Sequence, residues 1–142
     1  MTTAPTILLV EDNEADIELW MLVLEELRLH ALVSVVRDGQ SALTVLAHHA
    51  RRGTPFRLVI SDLHLPLLDG SALIERMRAH PLLSDTPVVV LSGTVSPAMT
   101  TLGTACYEKP MTFTEWKSLV QALCSAYPGA FMDETFQPDP VA

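Results

Sequence analysis

The stretch Phe56-Arg57-Leu58-Val59-Ile60-Ser61-Asp62-Leu63-His64-Leu65-Pro66-Leu67-Leu68-Asp69-Gly70 decides how the rest of the chain is read. Leu58 to Ile60 form a short apolar run rich in β-branched residues, suited to a strand buried on both faces, and Asp62 stands where that run ends. In open α/β sheets, ligands collect just beyond the carboxyl ends of the strands, so Asp62 is placed for chemistry. Pro66 and Asp69-Gly70 then punctuate a loop before a new helical pattern.

Outward from this strand the chain alternates. Ile7-Leu8-Leu9-Val10 reads as a first buried strand ending in Glu11-Asp12-Asn13, so a second set of carboxylates also sits at a strand tip. Residues 15–27 follow as a helix that Asn13 or a neighbour can cap. It is apolar nearly all round at Leu19-Trp20-Met21-Leu22-Val23-Leu24, which predicts deep packing or a side that meets a partner. Residues 32–36 read as a second strand and 41–49 as a second helix. The adjacent His48 and His49 point in different directions on a helix, and read as a solvated helix end rather than metal ligands. Residues 71–80 make a third helix, and Val88-Val89-Val90-Leu91 a fourth strand closed by Ser92-Gly93-Thr94. Ser96, Pro97 and Gly103 leave room for only a brief fourth helix. Ala105-Cys106-Tyr107 is a short fifth strand with Lys109-Pro110 at its tip, and residues 112–127 a last helix stopped by Pro128-Gly129.

Five strands alternating with helices predict an α/β fold: a doubly wound five-stranded parallel sheet covered on both sides. The 142 residues, 49% hydrophobic, supply one domain. We place it at residues 1–127, with 128–142 as a tail, either disordered or docked through Phe131, Met132 and Phe136 on itself or on a second copy. A net charge of −8 with scattered Lys and Arg argues against nucleic acid as a direct partner. The longest apolar run, Leu19 to Leu24, is too short to span a bilayer, and the first residues lack an export pattern, so a cytoplasmic protein with no membrane partner is expected. Cys106 and Cys124 make neither a disulfide framework nor a zinc pattern, and read as reduced packing residues.

The strand tips thus offer Glu11 and Asp12, Asp62, Ser92 and Lys109. In a doubly wound sheet neighbouring tips lie side by side, so these residues can converge. Two carboxylates about 4 Å apart repel by roughly 4 kcal/mol at an effective dielectric near 20, and three would raise their pKa values or recruit a cation. All-oxygen ligation selects a hard ion, most naturally Mg²⁺, which favours phosphate oxygens. A hydroxyl and an ammonium beside it complete a phosphoryl site in which an Asp can be the nucleophile.

Together these residues resemble the receiver domains of two-component response regulators, from about Ile7 to Tyr127. Glu11-Asp12 is similar to the acidic pair after the first strand, and Asp62-Leu63-His64-Leu65-Pro66-Leu67-Leu68-Asp69-Gly70 to the phosphoacceptor loop. Ser92-Gly93 resembles the hydroxyl residue and its small neighbour, and Lys109-Pro110 the Lys-Pro whose peptide bond is cis in the family. Singly, Ser92 is a turn residue, Lys109 a solvated charge and Asp12 a helix cap; in order and on strand tips, the set is specific.

The resemblance implies a flavodoxin-like sheet of strand order 2-1-3-4-5, and a chain that is a signalling module rather than an enzyme, with only self-phosphorylation and dephosphorylation chemistry. Asp62 would accept a phosphoryl group from a histidine of a sensor kinase. Glu11, Asp12, Asp62 and the backbone carbonyl of His64 would hold Mg²⁺, or Mn²⁺ in its place. Lys109, Ser92 and the Gly93 N–H would grip phosphoryl oxygens, while His64 and Thr94 would flank the attacking water and tune the phosphoryl lifetime.

Two departures matter. The family places an aromatic residue three before the Lys, where this chain has Cys106, so Tyr107 becomes the candidate switch residue. The interval from Ser92 to Lys109 is also short. Residues after Tyr127 are too few and too acidic to be read as a DNA-binding domain, so output through protein contact with a downstream target is expected. The opening Glu11-Asp12-Asn13-Glu14-Ala15-Asp16 and residues 80–92 look similar to single-domain regulators paired with phytochrome-type kinases. Members of that subgroup commonly dimerise, and the tail with the apolar first helix would give the means. Rival readings are a degenerate receiver acting as a phosphorylation-independent binding module, an aspartyl phosphatase, which would carry Asp-x-Asp after the first strand, and a flavodoxin-like cofactor binder, which would carry a Gly, Ser and Thr loop there.

Overall fold

Ile7–Val10 (β1), four wholly buried apolar residues, runs through the middle of the molecule. Around it lie Val33–Val36 (β2), Leu58–Asp62 (β3), Val88–Ser92 (β4) and Ala105–Glu108 (β5), all parallel, in the order β2-β1-β3-β4-β5. The computed structural model describes residues 5–93 and 105–131. The brief helix expected after Ser96, and Thr94 with it, lie outside the described residues.

The register carries the alternation of side chains from strand to strand. Ile7 pairs with Leu58 and Leu9 with Ile60, and these four face the helices Glu14–Glu26 (α1) and Phe113–Ala126 (α4). Leu8, Val10, Val59, Val88 and Val90 face Gly39–Arg51 (α2) and Gly70–Ala79 (α3). A strand flanked on both sides by helices buries every residue, which is why β1, β3 and β4 read as unbroken apolar runs rather than alternating ones. The doubly wound expectation and its strand order are both met.

Each α-helix among the described residues starts on a side chain that accepts an orphan backbone N–H. Asn13 accepts from Asp16, Asp38 from Ser41, Asp69 from Ala72 and Thr112 from Glu115. Expected ends shift by one or two residues, the usual fraying at helix boundaries. The largest shift is at α2, which gains two residues at each end, while β2 begins one residue late, at Val33, because His30–Leu32 wind into a 3₁₀ turn.

The apolar first helix resolves into two unlike faces. Ile17, Trp20, Val23 and Leu24 are buried, and Trp20 meets Trp116 of α4 edge-on at 5.0 Å between ring centres. Leu22, by contrast, is 54% exposed. After α4, Ala130 and Phe131 return to the same core and are buried. Thr6 Oγ1 donates to the Ala130 carbonyl at 2.6 Å, and Arg57 to the Gly129 carbonyl at 3.1 Å.

Candidate functional site

Asp62 is the last residue of β3, and β1 ends one residue before Glu11, so the parallel pairing of these strands brings their tips together. Suitable oxygens of Glu11, Asp12 and Asp62 all lie within 4.8 Å of one another. Glu11 is 1% exposed. Burial pushes its carboxyl above the ordinary value and the neighbouring Asp62 charge adds to this, while the Asn13 N–H and Lys109 oppose it. Burying a carboxylate among other carboxylates is costly unless a cation is present.

The resident cation is Lys109. On the far side of β3, β4 pairs with β5, and the Lys109 N–H donates to the Ser92 carbonyl at 2.9 Å, continuing the ladder one step past the strand ends. This sets the lysine at the tips of β3 and β1. Its Nζ lies 3.0 Å from Asp62 Oδ2, 3.1 Å from Glu11 Oε2 and 2.7 Å from Asp16 Oδ2. Burial alone would lower the lysine's pKa, but its contacts to Asp16, Asp62 and Glu11 outweigh that and raise it. The Lys109–Pro110 peptide bond is trans, against the cis bond that the resemblance implied. An X–Pro bond favours trans by about 0.5–1 kcal/mol when nothing else decides.

The β3–α3 loop is held tightly. His64 N–H donates to Asp62 Oδ1 at 3.3 Å, and Gly70 N–H to the Leu63 carbonyl at 2.9 Å. Gly70 is required here, since a Cβ on it would lie 2.7 Å from the Asp62 carbonyl oxygen. The His64 side chain is exposed. Ser92 is buried at the end of β4, beside the tip of β3, and Gly93 follows it at the surface. Tyr107 packs on the α1 and α4 side, and lines an open groove with Met111, Thr114, Ser118 and Leu119. Cys106 packs against the opposite core, so the two side chains serve different faces of the sheet.

Of the residues singled out in the sequence, Glu11, Asp12, Asp62 and Lys109 come together, and Ser92 is adjacent through the strand ladder. Sequence reasoning gave Asp16 no role, although its contact to Lys109 is the shortest of the three. The signal that would have found it is its place three residues after Asn13, in the first turn of a helix that starts at the site.

A parallel sheet in this order, with acids at its two central tips and a lysine reaching across from β5, defines a receiver-type signalling module of the flavodoxin-like class. The chain belongs to the response regulator receiver domain family, whose model matches residues 7–108. It is 33% identical over 123 residues to the probable methanogenesis regulatory protein FilR2 of Methanothrix harundinacea (strain 6Ac), covering 82% of this chain and 79% of that protein. It is 35% identical over 88 residues to the response regulator Rcp1 of Synechocystis, covering 61% and 60%. Among solved structures, it is similar to the phosphorylated cyanobacterial phytochrome response regulator RcpA, with a TM-score of 0.75 and 28% identity, covering 96% of this chain and all of that one. It is likewise similar to the bacteriophytochrome response regulator RtBRR, with a TM-score of 0.73 and 32% identity over 97% and 86%, and to the Mn²⁺-bound form of Rcp1, with a TM-score of 0.69 and 27% identity over 94% and 98%. Structural neighbours of the chain thus include phytochrome-associated response regulators. No helix among the described residues is long and apolar enough to cross a membrane.

Proposed function

We propose that this chain is a response regulator that accepts a phosphoryl group on Asp62 from a histidine of a sensor kinase, in a reaction that depends on a divalent ion, and passes the signal on by protein contact. The observation that carries this is the Lys109 ammonium 3.0 Å from Asp62 Oδ2, beside three carboxylates that converge within 4.8 Å. The donor set fits Mg²⁺ or Mn²⁺, because it is all oxygen and includes a buried Glu11 whose charge calls for a cation. Glu11, Asp12 and Asp62, with the His64 carbonyl, would hold that ion, which supplies neutralisation of charge on the transferring group.

The remaining work falls to the chain's own atoms. An Asp62 carboxylate oxygen forms the new P–O bond as the P–N bond of the phosphohistidine breaks and the imidazole leaves. Lys109 and Ser92, with the Gly93 N–H, bind phosphoryl oxygens and lower the barrier by holding charge in a fixed geometry. Tyr107 is the residue through which loading is sensed, and His64 and Thr94 set how quickly water removes the group. A phytochrome-type kinase is the partner favoured by the relatives, a second copy of the chain a further one, and the cytoplasm the compartment where both would be met.

Incubation with acetyl phosphate and Mg²⁺ tests the reading. Expected is a labile mass gain of one phosphoryl group, absent without the ion and absent in Asp62→Asn. No gain in the parent chain would leave the rival, a phosphorylation-independent binding module.

A further inference from the structure

Resting on that reading, we propose that Asp16 is a positioning residue for phosphoryl uptake: it keeps the Lys109 ammonium at the site when Glu11 and Asp62 turn to the divalent ion. The ammonium lies within 3.1 Å of three carboxylates, and two of these, Glu11 and Asp62, belong to the group that would ligate the ion. With their oxygens on the ion, Glu11 and Asp62 would hold the lysine less strongly. Asp16 stands outside the group among the described residues, and holds Lys109 at 2.7 Å.

Local structure explains why Asp16 is available. An acid at the third position of a helix often folds back onto the backbone N–H of the capping residue. Here the Asn13 N–H is already donated to Glu11 Oε1 at 3.1 Å, while Asn13 Oδ1 accepts from the Asp16 N–H at 3.0 Å. The backbone of Asp16 is thus fixed, and its carboxylate is free to reach Lys109, 93 residues away in sequence. Because a lysine is a flexible point charge, a second anchor that survives ion binding limits where that charge can go.

Asp16→Asn, Asp16→Glu and Lys109→Ala, with the double variant Asp16→Asn/Lys109→Ala, test this in the full chain. With Mg²⁺ bound, the parent is expected to give a slowly exchanging Lys109 ammonium signal in ¹⁵N spectra, lost in Asp16→Asn and restored in Asp16→Glu. Phosphoryl gain at saturating acetyl phosphate is expected to fall about tenfold in Asp16→Asn, with the donor KM and the Mg²⁺ Kd within about threefold of the parent. In the Lys109→Ala background the same change is expected to alter the rate by less than about twofold, since Asp16 acts through the lysine. An unchanged ammonium signal, an unchanged or raised rate, or an equal fall without Lys109 would overturn the proposal. A parent that gains no phosphoryl group would instead overturn the phosphoacceptor reading, and the ammonium signal would still decide whether Asp16 holds Lys109.

Discussion

Leu67 follows Pro66 with φ at +67° and a side chain 80% exposed, five residues beyond Asp62. A left-handed backbone costs an ordinary L-residue roughly 1–2 kcal/mol, and so large an exposed side chain gains little by burial in return. Leu67→Gly should therefore stabilise the chain by about 0.5–1 kcal/mol in urea unfolding, the relief of strain exceeding the added freedom of the unfolded glycine. A loss of stability would show that the leucine side chain holds the loop. Such strain was not legible in the sequence, where Pro66 and Asp69-Gly70 marked only a loop. The places of Asp62 and Lys109 at neighbouring strand tips, by contrast, were legible because each closes a recognisable apolar run.

At the scale of elements, α2 shows how a single carboxylate starts a helix. Asp38 accepts from the Ser41 N–H at 2.6 Å and from its hydroxyl at 2.8 Å, and these bonds hold its pKa below the ordinary 3.8. A carboxylate with a depressed folded pKa stabilises fully above its unfolded value, and that contribution is lost as pH falls through the folded one. The stability of the parent should thus decline with acid below about pH 3.8, the unfolded reference, partly through Asp38. Asp38→Asn keeps a good cap and is expected to match the parent at neutral pH, but to show a shallower acid limb in urea midpoints taken from pH 2.5 to 5. Equal acid limbs would mean that the cap charge contributes nothing. The next residue, Gly39, lies so near the Leu68 carbonyl that a Cβ would collide with it, which ties α2 to the β3–α3 loop.

For the whole molecule, the site and the chain's last described residues sit at opposite ends of the sheet. Ala130 and Phe131 close the end where the strands begin, through the contacts of Thr6 and Arg57 to residues 129 and 130. Phe131→Ala should cost about 3 kcal/mol, as for other buried aromatic truncations. Under conditions where the variant stays folded, its phosphoryl gain should remain within about twofold of the parent, because distant independent sites add rather than couple. A large change in uptake would mean that the two ends of the sheet communicate. The sequence offered a tail beginning after Tyr127, free or docked. Only the burial of Phe131 assigns residues 130 and 131 to the core.

The amino-acid order by itself determined the alternation of elements, the buried parallel sheet and the acids and lysine at its tips, because hydrophobic runs, caps and turn residues act over a few neighbours. Only the tertiary structure decided that Asp16 reaches Lys109, that Tyr107 takes the face covered by α1 and α4, and that Leu67 is strained. Those facts depend on distances between segments far apart in sequence and on dihedral angles set by packing, and no local pattern of residues encodes either.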